Sequence, residues 1–224
     1  MLNENAGTAA SILLVDDHPV VRLGLIQLLH LEPDLRVRWE ASSAGEALAV
    51  CESAAPDMAI VDISLGQDSG IELIKKLACL RPSMRILAMS MHDESLYAER
   101  ALRAGAGGYV MKHSASKNIV AALRRIREGE IYLSDALRAR LATQAVTEDA
   151  EPKPAGLGQL SDRELEVFRL IGRGLKKGEL AGRLKLSVNT IESHRASLKK
   201  KLNVHSSSEL ARLAILHFEG KRDS

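Results

Sequence analysis

The stretch ILLVDDHP (residues 12–19) runs four aliphatic residues into two adjacent carboxylates, Asp16 and Asp17. An uninterrupted aliphatic run asks for burial on both faces, as in a strand inside a parallel sheet. Neighbouring carboxylates repel one another, so something must offset their charge where that strand ends.

Working outward, short aliphatic runs recur as SILLV (11–15), LRVRWEA (35–41), DMAIV (57–61), RILAMS (85–90) and GYVM (108–111). Between them, VVRLGLIQLLH and GIELIKKLACL carry apolar residues at three- and four-residue spacing, the mark of helices. Five βα units predict a parallel sheet with helices on both faces. Such a sheet places its ligand site at the carboxyl ends of the strands, near the topological switch point. Asp16 and Asp17 then follow the first strand, Asp62 the third, Ser90 closes the fourth and Lys112 follows the fifth. Three carboxylates on one rim suit a hard divalent cation such as Mg²⁺, which takes a few carboxylates and keeps water or phosphate oxygens as its other ligands. A lone Asp after a strand is usually a helix cap or a turn residue. The site reading rests on all five positions falling in register. His18, His92 and His113 lie near the same rim without Ser/His/Asp order or HxxH spacing, and are expected to be solvated loop residues.

Residues 11 to about 130 resemble the receiver domains of two-component response regulators, which have a flavodoxin-like five-stranded parallel sheet. The resemblance implies that Asp62 is the phosphoacceptor, Asp17 a direct metal ligand and Asp16 a supporting one, with the main-chain carbonyl of Ser64 completing the protein's share of a Mg²⁺ site. It further implies that Lys112 binds the phosphate on Asp62 and that Ser90 bonds another phosphate oxygen. Tyr109 matches the family's aromatic switch, and the surface around the fourth helix is the readout. The chemistry agrees, because a carboxylate can attack phosphorus in line once cations neutralise the equatorial oxygens. Phosphorylation adds charge and strong acceptors that can draw a nearby loop into a second arrangement. One position departs from the family. DISLGQDSG has Gly66 where a Pro usually stands four residues after the phosphorylated Asp, while Gly70 is retained at its usual turn position.

The net charge of +2 conceals an asymmetry. Residues 155–224 hold 14 Lys and Arg against 8 Asp and Glu, leaving the front of the chain acidic and the back basic, as two different partners would require. TEDAEPKPAGLG (147–158) has two prolines, two glycines and no apolar periodicity, and reads as a linker. The expected organisation is a receiver over 11–130, a helical extension and linker over 131–156, and a small all-α domain over 157–221. Cys51 and Cys79 stand apart without CxxC spacing and are read as reduced thiols. No apolar run approaches the roughly 20 residues of a membrane span, and MLNENAGTAAS lacks the layout of a signal peptide, so a cytoplasmic protein with no membrane partner is expected.

In the back half, Ser161 followed by Glu164 forms a capping box ahead of an apolar stripe of Leu165, Phe168 and Ile171. Glycines at 172 and 174 end that helix, a second covers about 177–184, LKLS supplies a turn, and a third runs from about Val188 to Leu202. On its wheel Ile191, Leu198 and Leu202 share one face, and Asn189, Glu192, Ser193, Ala196 and Lys200 another. An apolar back, a short polar front and basic edges are what a recognition helix needs, whereas a solvated amphipathic helix accounts for the charges alone. The segment from about 157 to 218 resembles the four-helix LuxR-type DNA-binding domain through Glu164, Glu179, Ala181, Leu186-Ser187, Thr190-Ile191, His194, Lys201-Leu202 and Val204. The resemblance implies backbone contacts from Lys177, Ser187, Asn189, Thr190, His194, Arg195 and Lys199, and base-reading positions at Glu192 and Ser193. Many members carry Lys where this chain has Glu192, and a carboxylate there can accept from cytosine N4. Gly178 likewise replaces a common Lys. The last helix, ELARLAILHF (209–218), exposes Leu210, Leu213, Ala214 and His217 for dimerisation if it pairs as in the family, or packs them into its own core.

Together the halves resemble a NarL/FixJ-type response regulator. The resemblance implies a non-enzymatic transcription factor, phosphorylated by a sensor histidine kinase, that binds double-stranded DNA as a homodimer and contacts RNA polymerase. Two other classes compete. A phosphatase would show a DxD arrangement on one strand, and here the acidic pair is adjacent. A constitutive DNA-binding protein would use the receiver only to dimerise.

Overall fold

The structure, a computed structural model, describes residues 9–66, 68–91, 94–139, 156–184 and 186–219. His92 and most of the expected linker lie outside the described residues. The chain divides into two compact units, Met1–Thr147 and Glu148–Ser224.

The first unit comprises β1 (Ala10–Val15), α1 (Pro19–His30), β2 (Leu35–Ala41), α2 (Ala44–Ser53), β3 (Met58–Asp62), β4 (Ser64–Leu65), β5 (Asp68–Ser69), α3 (Gly70–Leu80), β6 (Arg85–Ser90), α4 (Glu94–Arg103), β7 (Gly108–Met111) and α5 (Ala115–Arg127). A further helical stretch, α6, covers 135–139. Five parallel strands form the sheet in the order β2-β1-β3-β6-β7, and β4 and β5 make a small antiparallel hairpin that strand-length apolar patterning does not reveal. β1 and β3 are buried throughout, as interior strands must be, whereas β2 at the edge buries Leu35 and Ala41 and exposes Glu40. Ile12, Leu14, Met58, Ile60, Leu87 and Met89 pack one sheet face against Leu25 and Leu29 of α1 and Ile119, Leu123 and Ile126 of α5. Each such side chain contributes about 1.5–3 kcal/mol on burial. The Arg124 guanidinium bonds Asp34 (2.7 and 3.1 Å) and Glu32, tying α5 to the turn before β2 and holding the Asp34 carboxyl down at about 2.

From β1 the chain crosses to β2 on one side and then passes back over β1 to β3 on the other, so the switch point is the crevice between β1 and β3. Val15 pairs with Val61, which sets the residues after β1 beside Asp62. Gly70 then turns the chain into α3. Its N–H donates to the Ile63 carbonyl at 2.9 Å, and a Cβ there would stand 2.0 Å from the Asp62 carbonyl oxygen. Because both atoms belong to backbone, neither can swing away. Gly70→Ala is expected to cost about 3 kcal/mol, read as a lower urea midpoint of the full chain.

The free edge of β7 is covered by the extension. Tyr109 N–H donates to the Tyr132 carbonyl at 2.9 Å, Tyr132 N–H donates to the Gly107 carbonyl at 3.0 Å, and Gly108 and Tyr132 form a parallel bridge. Backbone groups at a sheet edge need partners, and here the segment after α5 supplies them.

The second unit contains α7 (Asp162–Gly172), α8 (Lys177–Leu184), α9 (Val188–Lys201) and α10 (Ser207–Glu219). Gly174, at φ +81°, ends α7, with Leu175 N–H on the Leu170 carbonyl. Asn203, at φ +54°, ends α9 in the same way, with Val204 N–H on the Lys199 carbonyl. Gly172 has a different task from a helix stop. It is the last residue of α7, where a Cβ would lie 2.8 Å from the Ala214 carbonyl, so it admits the backbone of α10. This packing corrects one expectation. Leu210 and Ala214 are fully buried, because positions four apart on α10 share the face that meets α7, where the Phe168 and Phe218 rings stand 5.8 Å apart. Leu213 and Leu216 occupy the exposed face.

Candidate functional site

At the carboxyl ends of β1, β3, β6 and β7 the polar residues converge. Asp16, Asp62 and Ser90 are buried, and Asp17 is partly exposed. Lys112, in the turn after β7, reaches back with its ammonium 2.7 Å from both Asp16 Oδ2 and Asp62 Oδ2. Its side chain is only 6% exposed, so the ion pairs form away from bulk water. Ser64 N–H donates to the other Asp62 oxygen, Oδ1, at 3.0 Å. Burial pushes the Asp62 carboxyl up to about 6 against the pull of Lys112 and the Ser64 N–H, and the Asp16 charge adds to that push. Burial would lower Lys112, but Asp62 and Asp16 outweigh it and hold the ammonium above its ordinary range. The two upward shifts have different main causes, burial for Asp62 and the neighbouring carboxylates for Lys112. Several carboxylates share a single buried cation, so the pocket carries surplus negative charge.

Ligand atoms from Asp16, Asp17, His18 and Asp62 lie within 4.8 Å of one another. Surplus negative charge and three clustered carboxylates match a small oxygen-seeking divalent cation. His18 is exposed, as expected of a solvated residue, and also places Nδ1 2.8 Å from Asp17 Oδ1 and 3.1 Å from Asp16 Oδ1, while its backbone N–H donates to Asp16 Oδ1 at 2.8 Å. His113 is exposed, as expected of a solvated residue. The Ser64 carbonyl accepts from Gly66 N–H at 3.2 Å. Gly66 adopts φ +48°, and a Cβ on it would stand 3.1 Å from Asp17 Oδ2. Proline is locked near φ −65° and cannot take this turn, which explains the departure at this position. Tyr109 is 1% exposed, buried beneath the rim.

In the second unit Asn189 and Ser193 lie exposed on α9, with Ser193 Oγ donating to the Asn189 carbonyl at 3.1 Å. Ser187 caps the helix by accepting from Thr190 N–H at 3.0 Å. Thr190, Glu192, His194 and Lys199 are half-buried, and Arg195 is buried at 8% exposure, inward of the face the sequence suggested. Lys177 of α8 forms an ion pair with Glu192 and holds its carboxyl below the ordinary range.

With this geometry in place, comparison with known proteins is decisive. Residues 12–124 match the response regulator receiver domain, and residues 158–214 match the bacterial regulatory proteins of the luxR family. The chain is 32% identical to the response regulator UvrY of Escherichia coli strain K12 over 92% of its own length and 94% of UvrY. It is 33% identical to the nitrate/nitrite response regulator protein NarL of the same strain, over 90% of this chain and 93% of NarL. The chain belongs to the NarL/FixJ-type response regulators. Among solved structures, a LuxR-family two-component response regulator from Aurantimonas sp. SI85-9A1 is 36% identical, with a TM-score of 0.58, over 62% of this chain and 99% of that one. A structure of two RcsB dimers bound to two parallel DNAs is 25% identical, with a TM-score of 0.63, over 91% of this chain and 97% of that one. This regulator therefore joins a receiver to a LuxR-type DNA-binding domain and acts in transcriptional control.

Three contributors to the regulator's two sites escape a sequence reading. Arg22 donates to the Asp16 carbonyl at 2.6 Å, fixing the turn that carries the acidic pair, and nothing in its spacing announces it. Ser197 and Lys201 both bond Glu164, at 2.6 Å each, so α9 is locked to the start of α7. No membrane-crossing helix is found among the described residues.

Proposed function

We propose that Asp62 is the phosphoacceptor of this regulator and that its modification by a sensor histidine kinase controls binding of double-stranded DNA, with the phosphorylated chain acting as a homodimer in the cytoplasm. The observation that carries this reading is Lys112 bridging Asp16 and Asp62 at 2.7 Å each inside a pocket with surplus negative charge. Asp16, Asp17, Asp62 and the Ser64 carbonyl would hold Mg²⁺, which supplies charge neutralisation at the equatorial phosphoryl oxygens when bound. A carboxylate oxygen of Asp62 forms the new bond to phosphorus, the donor's P–N bond breaks, and the departing imidazole takes a proton. Lys112 then stays with the product, its ammonium facing the phosphoryl oxygens. In this reading Ser90, at the end of β6, donates its hydroxyl to another of them, and Tyr109 is the aromatic switch. Contact with RNA polymerase belongs to the same reading.

The route outward starts at the β7 edge. Ser134 Oγ donates to Glu94, the first residue of α4, and accepts from Leu137 N–H at 3.1 Å. The extension is thereby pinned to the two elements that flank Ser90 and Lys112. Ser134→Ala is expected to leave phosphoryl uptake unchanged and to weaken the phosphorylation-dependent gain in DNA affinity about fivefold, the size of a coupling near 1 kcal/mol.

The test of the whole reading is incubation of the full chain with Mg²⁺ and a small acyl phosphate, followed by intact mass, molecular size and DNA affinity. Gain of one base- and hydroxylamine-labile phosphoryl group together with a shift toward dimer and tighter DNA binding supports it. No modification under conditions that label another receiver overturns it. DNA affinity that ignores the modification favours the constitutive DNA-binding alternative.

A further inference from the structure

The regulator presents a carboxylate on the helix that meets DNA, and a polyanion should repel it. Glu192 lies on α9 beside Asn189, Ser193 and Ala196, with its side chain 43% exposed. Its partner is Lys177, in the first turn of the neighbouring α8, whose side chain is 53% exposed. Next to Lys177, Gly178 has open space where a Cβ would stand, so no side chain crowds the pair from that position. Elsewhere α9 carries Lys199 and Lys200 on or near the same surface, while Lys201 is turned away to Glu164.

A carboxylate has no donor, so against a base edge it is tolerated only where an amino group points at it. In the major groove cytosine N4 does so, thymine O4 and guanine O6 repel it, and adenine offers N6 beside the acceptor N7. A lone flexible Glu would also be pushed off by flanking phosphates. An ammonium fixed beside it cancels that repulsion and narrows the directions its oxygens can take.

We propose that Lys177 and Glu192 form one recognition unit, in which Lys177 holds and neutralises the carboxylate while facing the phosphate backbone, so that Glu192 selects cytosine within each half-site. The Lys177 charge is then spent jointly on a phosphate and on Glu192, which couples backbone contact to base choice. This rests on reading α9 as the helix that meets DNA.

The experiment is selection from a randomised duplex pool by the full chain in Mg²⁺ and acyl phosphate, followed by affinity measurement on the winning site and its single-base variants. Wild type is expected to prefer cytosine over thymine or guanine at one position per half-site by about tenfold to a hundredfold. Glu192→Gln moves the preference to adenine, and Glu192→Ala flattens it to within about threefold. Lys177→Met weakens binding to every sequence, and by at least about threefold more in the Glu192 background than in the Glu192→Gln background, since only the former leaves an unneutralised carboxylate. Additive effects of the two substitutions, or a selected site unchanged by Glu192→Ala, overturn the proposal. Asn189→Ala and Lys199→Ala separate the two levels. If they weaken binding while Glu192 substitutions leave base choice intact, only the recognition unit fails. If they too change nothing, α9 is not the DNA-facing helix and the reading beneath the proposal falls with it.

Discussion

Asp62→Asn is expected to remove phosphoryl uptake altogether while leaving the fold intact. The amide keeps the shape of the side chain, its single oxygen can still accept from Ser64 N–H or from Lys112, and it sits in a position that is 1% exposed. It lacks the anionic nucleophile, and neighbouring Asp16 does not replace it. The Asp16 side chain is fully buried, its Oδ1 is occupied by the His18 N–H, and its Oδ2 faces Lys112. Intact mass after exposure to Mg²⁺ and acyl phosphate is the direct readout, with circular dichroism and thermal unfolding to show that the variant folds. The substitution is also expected to abolish the phosphorylation-dependent gain in DNA affinity while preserving basal binding. An Asp62→Asn chain that still acquires a stable phosphoryl group would locate the acceptor elsewhere.

The second large effect lies in the DNA-binding unit. Glu164 is 7% exposed at its side chain and accepts from Ser161 N–H at 2.7 Å, Ser197 Oγ at 2.6 Å and Lys201 Nζ at 2.6 Å. A residue that sequence reading treats as half of a capping box therefore also fastens the far end of α9 to the start of α7. Glu164→Ala leaves a helix-start donor, a hydroxyl and an ammonium without their acceptor, and is expected to cost about 4 kcal/mol in the unfolding of this unit. Burial raises the Glu164 carboxyl, but the bonds from Lys201, Ser197 and Ser161 outweigh it and hold it at about 2, below the ordinary 4.5. A group depressed on folding adds stability above its unfolded pKa. That contribution, about 3 kcal/mol, is complete above roughly pH 5 and drains away as pH falls toward 2. Glu164→Gln keeps an acceptor for the cap, loses the charge and turns the other acceptor into an amide donor facing Ser197. It is expected to cost less than Glu164→Ala, with a shallower fall in urea midpoint below pH 5 than wild type. Equal acid sensitivity in wild type and Glu164→Gln would show that other carboxylates carry the effect.

Much of this was legible because the signals are local. The aliphatic runs at 11–15, 57–61 and 85–90 match strands to within a residue or so, since a strand buried on both faces leaves no choice but aliphatic side chains. Ser161 with Glu164 marked a helix start because a cap is a contact between residues three apart. The hairpin formed by Ser64–Leu65 and Asp68–Ser69 left no trace, being too short for any period to register. Leu210 and Ala214 looked as available for dimerisation as Leu213 because an apolar stripe does not say which helix will cover it. Arg195 looked like a phosphate contact from its charge and place on the wheel, yet it lies buried.

By itself the sequence determined the strand and helix order, the receiver and LuxR-type halves, and the five polar positions on the receiver's rim, because period, capping and strand-end chemistry are written in neighbouring residues. Only the tertiary structure decided which charges meet. Lys112 finds Asp16 and Asp62 from 50 or more residues away, Lys201 finds Glu164, and Lys177 finds Glu192 across two helices. Such pairings follow from how strands register and helices cross, and short-range patterning carries no record of that geometry.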